Sequence, residues 1–169
     1  MPYKTVSRVA VWLFFLVTIS PLKLNIFPEL PFTLQTLFVL LPAIFESTFI
    51  AVLIVFIYVI MGLLGLPVFA GYVGGFDAPT SGFLLGFLIA SFYLSKTNVV
   101  NFWPIWIHAV VGHFIVLLFG MLNLIVFFDV SMSIFAVGVF CIVALVKSFF
   151  VALIAIFLKR YFLKANLKY

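Results

Sequence analysis

One lysine in the last apolar segment is the residue best placed to do chemistry. Lys147 lies in "CIVALVKSFFVALIAIF", with apolar residues on both sides. A charge at the centre of a membrane helix costs roughly 2.5–3.5 kcal/mol on insertion scales, so such residues face a bundle interior and mark functional sites. We therefore expect the Lys147 ammonium to bind a carboxylate or a carbonyl oxygen of a ligand. The alternative is a structural ion pair with Glu46 or Asp77.

A second group of polar residues begins another apolar segment. In "NIFPELPFTLQTLF", two prolines precede Thr33, Gln35 and Thr36. Thr33 has the residue type of a helix cap. Gln35 is the less ordinary residue, because an amide inside a membrane needs a hydrogen-bond partner. These side chains either face a ligand or only support the start of a helix.

The stretch from Gly62 to Gly82 requires backbone that is not helical. "GLLGLPVFAGYVGGFDAPTSG" holds six glycines and two prolines. Glycine permits positive φ and close approach of the backbone, which leaves N–H and C=O groups able to bond a ligand. Irregular backbone near membrane depth occurs where protein buries it or where it lines a cavity. A plain turn outside the membrane is the alternative.

Catalytic and metal-binding patterns are missing from the sequence. His108 and His113 are five residues apart, about 500° around a helix, so they point to different faces and make a poor metal site. Two separately hydrogen-bonded histidines are the better interpretation. The sequence holds no Ser-His-Asp, Cys-His or H-E-x-x-H arrangement, so we do not expect an enzyme.

Composition places the chain in a membrane. Of its 169 residues, 67% are hydrophobic and 8% are charged, which leaves too little polar surface for a water-soluble domain. Apolar runs of about 18 or more residues are candidates for membrane-spanning helices. Basic residues cluster at the two ends of the chain and form no patch suited to phosphates, so nucleic acid is not an expected partner. We predict an all-α integral membrane protein, one transmembrane domain over residues 1–169, in the inner or plasma membrane of the cell.

Proline, glycine and polar residues divide this domain into six apolar segments, and charge orients them. The predicted spans are 7–24, 33–46, 48–66, 82–96, 102–127 and 133–158. With both termini in the cytoplasm, inner positions hold seven basic residues and one acidic residue, as membrane topology favours. The first segment also fits a signal peptide, but no A-x-A-like cleavage site follows it, which favours a retained helix. The inner charges are Lys4, Arg8, Glu46, Lys96, Lys159, Arg160, Lys164 and Lys168, and the outer ones are Lys23, Glu29, Asp77 and Asp129.

The fourth span carries a ridge of small residues. Gly82, Gly86 and Ala90 are four residues apart and therefore lie on one face of a helix. Such ridges let two helix backbones approach closely. We expect this face to pack against a neighbouring helix.

The middle of the chain resembles the BioY family, the biotin-binding S components of energy-coupling-factor (ECF) transporters. The resemblance is carried by "PFTLQTLFVLL", "YVIMGLLGLPVFAGYVGG" and "APTSGFLLGFLIASFYL", in that order within residues 31–95. Lys147 matches the lysine of the D-x-x-K motif in the last helix of the family. The resemblance implies a six-helix S-component bundle that takes up biotin from the outer side, without a cofactor. It also implies partners, namely a transmembrane coupling protein and ATPase subunits.

The resemblance assigns roles to nine residues. Lys147 would supply an ammonium contact, and Tyr72 would stack on the ligand or close over it. Asp77 is a candidate to replace the hydrogen bond of a family aspartate, because Ala144 occupies that aspartate's position in this chain. Amide and hydroxyl contacts would come from Gln35, Thr33 and Thr80, and backbone contacts from Gly71, Gly74 and Gly75.

Two departures from the family pattern leave alternatives open. Ala144 stands where the family has the aspartate of D-x-x-K, and Ala10 stands alone where a docking ridge of two alanines is usual. The first departure means either that another group takes over the aspartate's hydrogen bond or that the ligand is a different small organic acid. The second leaves the partner complex open. A membrane protein with a structural role and no transported ligand is the third interpretation.

Overall fold

The structure, a computed structural model, describes residues 3–27, 30–129 and 133–166. Within these ranges the chain forms six helices, so the predicted number of helices is confirmed. Glu29 and Lys168, two of the charges used to predict topology, lie outside the described residues. The helices are α1 (Tyr3–Thr18), α2 (Gln35–Phe45), α3 (Thr48–Leu63), α4 (Ser81–Ser95), α5 (Phe102–Phe128) and α6 (Ile134–Asn166).

The largest differences from the predicted boundaries lie in the first and last helices. The span predicted over 7–24 ends early, because α1 stops at Thr18 and a turn containing Pro21 follows. Proline supplies no N–H to continue a helix. The last span was predicted to end at 158, whereas α6 continues to Asn166. Hydropathy marks where apolar residues end, and a helix can continue beyond that point.

A short β-hairpin, which the sequence did not predict, joins α1 to α2. Strand β1 (Lys23–Phe27) pairs antiparallel with β2 (Leu30–Thr33), with Lys23 opposite Thr33. Pro31 within β2 argues against an interior strand, but a two-stranded sheet consists of edge strands, which tolerate proline. This hairpin places Thr33 directly before α2.

The small-residue ridge packs α4 against α5, as predicted. A Cβ atom at Gly82 would overlap Asn123 and the carbonyl of Phe119, and one at Gly86 would lie 2.9 Å from the Cα of Val116. Ala90, the third residue of the ridge, is completely buried. Only residues without a bulky side chain permit this approach of the two helices.

One end of the bundle gathers the charges that the sequence assigned to the inner side. Arg8 donates to Glu46 through Nε, at 3.0 Å, and also through its terminal nitrogen. A recess of about 510 Å³ at this end is lined by Glu46, Lys96 and Val99, and the ammonium of Lys159 donates to the Val99 carbonyl at 2.7 Å. The C-terminal ends of α2 and α4 therefore lie at the charged end of the bundle, and their N-terminal ends lie at the opposite end.

Two described helices are long and apolar enough to cross a membrane, Phe102–Phe128 and Ile134–Tyr161. Four others are shorter apolar helices of 10–17 residues. Large apolar side chains are exposed on helices around the bundle; examples are Phe14, Phe49, Phe92, Phe127 and Phe157.

Candidate functional site

A cavity of about 610 Å³ lies at the end of the bundle opposite the charged recess. Its wall is formed by side chains from the hairpin, from the start of α2 and from the loop that follows α3. Helices α4, α5 and α6 also contribute side chains to it. Four phenylalanines, Phe69, Phe83, Phe87 and Phe140, line the cavity. Its size falls in the range of small-molecule sites, which combine apolar walls with a few placed polar groups.

Lys147 supplies a cation inside this cavity. Its side chain reaches from α6 to the start of α2, where Nζ donates to Thr36 Oγ1 at 3.2 Å, and the residue is 7% exposed. Glu46, one of the two acids considered as its structural partner, lies at the other end of the bundle, where it accepts hydrogen bonds from Arg8 and Trp12. Asp77, the other acid, lines the same cavity.

A buried tyrosine fixes the position of Gln35. Gln35 Nε2 donates to Tyr58 Oη at 2.8 Å, and Tyr58 Oη donates to the carbonyl of Val68 at 2.8 Å. Since the tyrosine proton is used on Val68, Gln35 must present its NH₂ group to Tyr58. The amide oxygen of Gln35 is then the atom available to the cavity, which this residue lines. Tyr58 is therefore the hydrogen-bond partner that the buried amide of Gln35 was expected to need.

The glycine-rich loop after α3 packs tightly on the bundle. A Cβ at Gly62 would overlap the ring of Phe69, and a Cβ at Gly74 would overlap the carbonyl of Leu66, so both positions need glycine for close approach. The N–H of Gly75 donates to Gly62 at 2.7 Å. The predicted irregular backbone is thus folded against the protein, and one wall of the cavity is built from it.

The loop is also tied to the segment that precedes the hairpin. Gly71 N–H donates to the Pro21 carbonyl at 2.7 Å, and Tyr72 Oη donates to the Thr18 carbonyl at 3.1 Å. The N–H of Gly71, like that of Gly75, therefore has a partner within the protein. A role for these two N–H groups in ligand binding would require exchange of those bonds.

The structure brings seven of the nine predicted site residues to the cavity and leaves two outside its wall. Gly71 is exposed beside Lys23, and Tyr72 is half exposed with φ of 58°. Thr80 Oγ1 donates to the Asp77 carbonyl at 3.1 Å, which folds the turn at the start of α4. The lining residues among those predicted are Lys147, Gln35, Thr33, Gly74, Gly75, Asp77 and Thr80.

Several residues of the wall could not be assigned to it from the sequence alone. Thr36 was recognised as part of a motif but not as the partner of Lys147. The sequence indicates Lys23 only as a charge on the outer side, yet it lines the cavity. His113 was interpreted as an ordinary buried histidine, and it too lines the cavity. The family position occupied by Ala144 is part of the same wall and is 3% exposed.

The chain is similar in sequence to members of one family. The sequence model of the BioY family matches residues 1–164. The probable biotin transporter BioY of Pyrococcus horikoshii is 38% identical over 95 residues, 54% of this chain and 58% of that protein. The biotin transporter BioY of Thermotoga maritima is 43% identical over 67 residues, 38% of this chain and 40% of that protein. The biotin transporter BioY2 of Lactococcus lactis subsp. cremoris is 37% identical over 127 residues, 68% of this chain and 66% of that protein.

The matched segments therefore span less than two thirds of each of these relatives. A solved structure gives a more complete match in three dimensions. The crystal structure of the S-component for biotin from an ECF-type ABC transporter superposes with a TM-score of 0.77 over 93% of this chain and 91% of that chain. At 21% identity, this likeness concerns the fold.

Proposed function

The chain belongs to the BioY family, and on this premise we propose that it is the membrane subunit that binds biotin for uptake. Its relatives in Thermotoga maritima and Lactococcus lactis are named biotin transporters. The superposed S-component is one for biotin. The proposed activity is capture and transport of biotin without chemical change to it.

The observation that carries this proposal is the position of Lys147 in the cavity. Biotin has a carboxylate, a cyclic urea and an apolar ring system, so it needs an apolar pocket with a few polar contacts. The Lys147 ammonium, anchored on Thr36, supports binding of the carboxylate or of the urea carbonyl. Phe69, Phe83 and Phe87 offer apolar surface for the rings. An ionisable residue inside a membrane protein is by default a candidate for a functional site.

Other predicted residues take supporting roles in this proposal. Gln35 contributes its amide oxygen, Thr33 and Thr80 contribute hydroxyl contacts, and Asp77 accepts a hydrogen bond at the outer wall. Gly74 and Gly75 allow the ligand to approach the backbone closely. Gly71 and Tyr72 act from the loop outside the wall, with Tyr72 closing over the ligand.

A position in the cell membrane is proposed for the whole bundle. The exposed apolar side chains around the helices are explained if lipid covers them, because soluble proteins rarely expose such extended apolar surface. The positive-inside rule supports placing the end that holds Arg8, Lys96 and Lys159 in the cytoplasm. The cavity then opens toward the outer side.

Energy for uptake is proposed to come from partners. The sequence holds no G-x-x-x-x-G-K-[ST] loop for binding nucleotide phosphates. The S-component that superposes on this chain belongs to an ECF-type ABC transporter. We therefore propose an ECF coupling protein and its ATPase subunits as partners.

A second candidate ligand, a different small carboxylate, is favoured by one observation. Ala144 makes the wall beside Lys147 apolar at the family's aspartate position. A ligand with fewer hydrogen-bond donors than biotin would suit such a wall.

Binding measurements on the purified chain test the proposal. Labelled biotin should bind the protein in detergent, and biotin should raise its melting temperature, because a ligand that binds only the folded state stabilises that state. Displacement by unlabelled carboxylates ranks the two candidate ligands, and tighter binding of another acid would favour the second. If neither biotin nor the other acids bind, the proposed function is wrong.

A further inference from the structure

His113 forms part of the cavity wall next to Lys147. It comes from α5, is 2% exposed, and approaches α6 at Ser148, the residue that follows the lysine. Its Nδ1 lies 3.0 Å from the carbonyl oxygen of Ala109 and 2.9 Å from Ser148 Oγ. Ser148 Oγ in turn donates to the Ala144 carbonyl at 2.7 Å. The imidazole thus joins the wall of α5 to the stretch of α6 that departs from the family.

These contacts determine which ring nitrogen carries the proton. The carbonyl of Ala109 has no hydrogen, so its contact with Nδ1 is a hydrogen bond only if Nδ1 donates. Ser148 uses its hydroxyl proton on Ala144, so it too is arranged to accept from Nδ1. In the neutral ring, Nε2 is then an acceptor without a proton.

The second ring nitrogen of His113 is a buried acceptor. Among the described residues, His113 Nε2 is buried and makes no hydrogen bond. A buried polar atom left unpaired costs roughly 1–3 kcal/mol. A donor on a bound molecule that reached Nε2 would remove this cost, so the site favours ligands with an N–H group at this wall.

We propose that His113 Nε2 accepts a hydrogen bond from an N–H group of the bound ligand and so replaces the family's aspartate as the acceptor beside Lys147. This inference rests on the proposed function. At neutral pH the carboxylate of biotin is ionised, and its cyclic urea supplies the N–H donors. The urea therefore lies against the wall formed by His113 and Lys147, with its carbonyl oxygen toward the ammonium.

Two substitutions of one histidine separate this role from a structural one. The amide of asparagine occupies roughly the place of Nδ1, whereas the amide of glutamine reaches the place of Nε2. His113→Asn therefore keeps a donor toward Ala109 and removes the acceptor, and His113→Gln does the reverse. We expect His113→Asn to weaken binding of labelled biotin by about tenfold or more, as loss of one buried hydrogen bond requires. We expect His113→Gln to stay within about threefold of the unaltered protein, a difference below the cost of one hydrogen bond.

His108→Asn is the matched control, because His108 lies on the same helix and bonds Tyr93 through Nδ1 at 2.7 Å; its affinity should not change. Equal affinity of all variants, loss with both substitutions of His113, or loss with glutamine but not with asparagine, would overturn the proposal and leave biotin binding by the unaltered chain intact. If the unaltered chain does not bind biotin, both the proposed function and this inference are wrong. A melting temperature measured without ligand shows that each variant is folded.

Discussion

Replacing Lys147 by methionine removes the cation from the cavity while keeping most of the side-chain volume. The lost group is a nearly buried ammonium whose Nζ donates to Thr36 Oγ1 at 3.2 Å. A hydrogen bond to a charged group contributes about 1.5–3 kcal/mol, so biotin should bind roughly 10- to 150-fold more weakly. Stability without ligand should stay equal or rise, because a buried charge costs roughly 2.5–3.5 kcal/mol on membrane insertion and methionine does not carry that cost.

The assay measures affinity and stability on the same preparation. Purified protein in detergent is titrated with labelled biotin, and its melting temperature is recorded with and without the ligand. The ligand-induced shift at a fixed biotin concentration should shrink in Lys147→Met, since the shift follows the ratio of ligand concentration to the dissociation constant.

A second lysine on α6 provides the control. Lys159→Met removes an ammonium that donates to the Val99 carbonyl at the charged end of the bundle. This variant should bind biotin with unchanged affinity. A role of Lys147 in ligand binding would be contradicted if Lys147→Met kept the affinity of the unaltered protein, or if the two variants lost affinity equally.

Three further substitutions probe the supports of the site and are checked by detergent denaturation and labelled-biotin binding. Tyr58→Phe removes the hydroxyl that bonds the Val68 carbonyl and the Gln35 amide, so stability should fall by about 1–3 kcal/mol and biotin affinity should fall with it. Unchanged stability and affinity would contradict the role of Tyr58 in fixing Gln35. Gly62→Ala places a methyl group where the ring of Phe69 lies, so the ring must move out of the cavity wall at a cost of about 1–3 kcal/mol. Arg8→Ala leaves the buried carboxylate of Glu46 without its cation and should lower stability by about 1–3 kcal/mol, with biotin affinity unchanged because the pair lies at the other end of the bundle.

The helices could be predicted because their signals are local. Apolar runs interrupted by proline, glycine or charge mark six helices, and all six are present among the described residues. Gly82 and Gly86 even indicated the packing face of α4, since only small residues let two backbones meet. The partner of that face, α5, could not be predicted, because it depends on how all six helices are arranged.

The hairpin could not be predicted from the residues that form it. Its two strands are five and four residues long, and Pro31 opposes strand formation. Tertiary contacts tie the segment that precedes it to the loop after α3: the N–H of Gly71 donates to the carbonyl of Pro21 at 2.7 Å, and Tyr72 Oη donates to the carbonyl of Thr18 at 3.1 Å. Such contacts have no periodic pattern in the sequence.

The cavity was predicted in part, and the missed residues share a physical reason. Lys147 and Gln35 attract attention because burial of a charge or an amide is costly wherever it occurs. His113 is an ordinary residue until its neighbours are known, because its role depends on Ser148 and Ala109 using the proton of Nδ1. A sequence shows which polar atoms are expensive to bury, whereas only the structure shows which of them is left without a partner.

The shortness of α2 has a consequence for transport. Its eleven residues rise about 16 Å, roughly half of the 30 Å hydrocarbon layer. Thr36 stands in its first turn, so a guest held between Thr36 and Lys147 would already rest near the middle of the bilayer. In the orientation that we propose, biotin bound there would have to move only about the length of α2 to reach the cytoplasm.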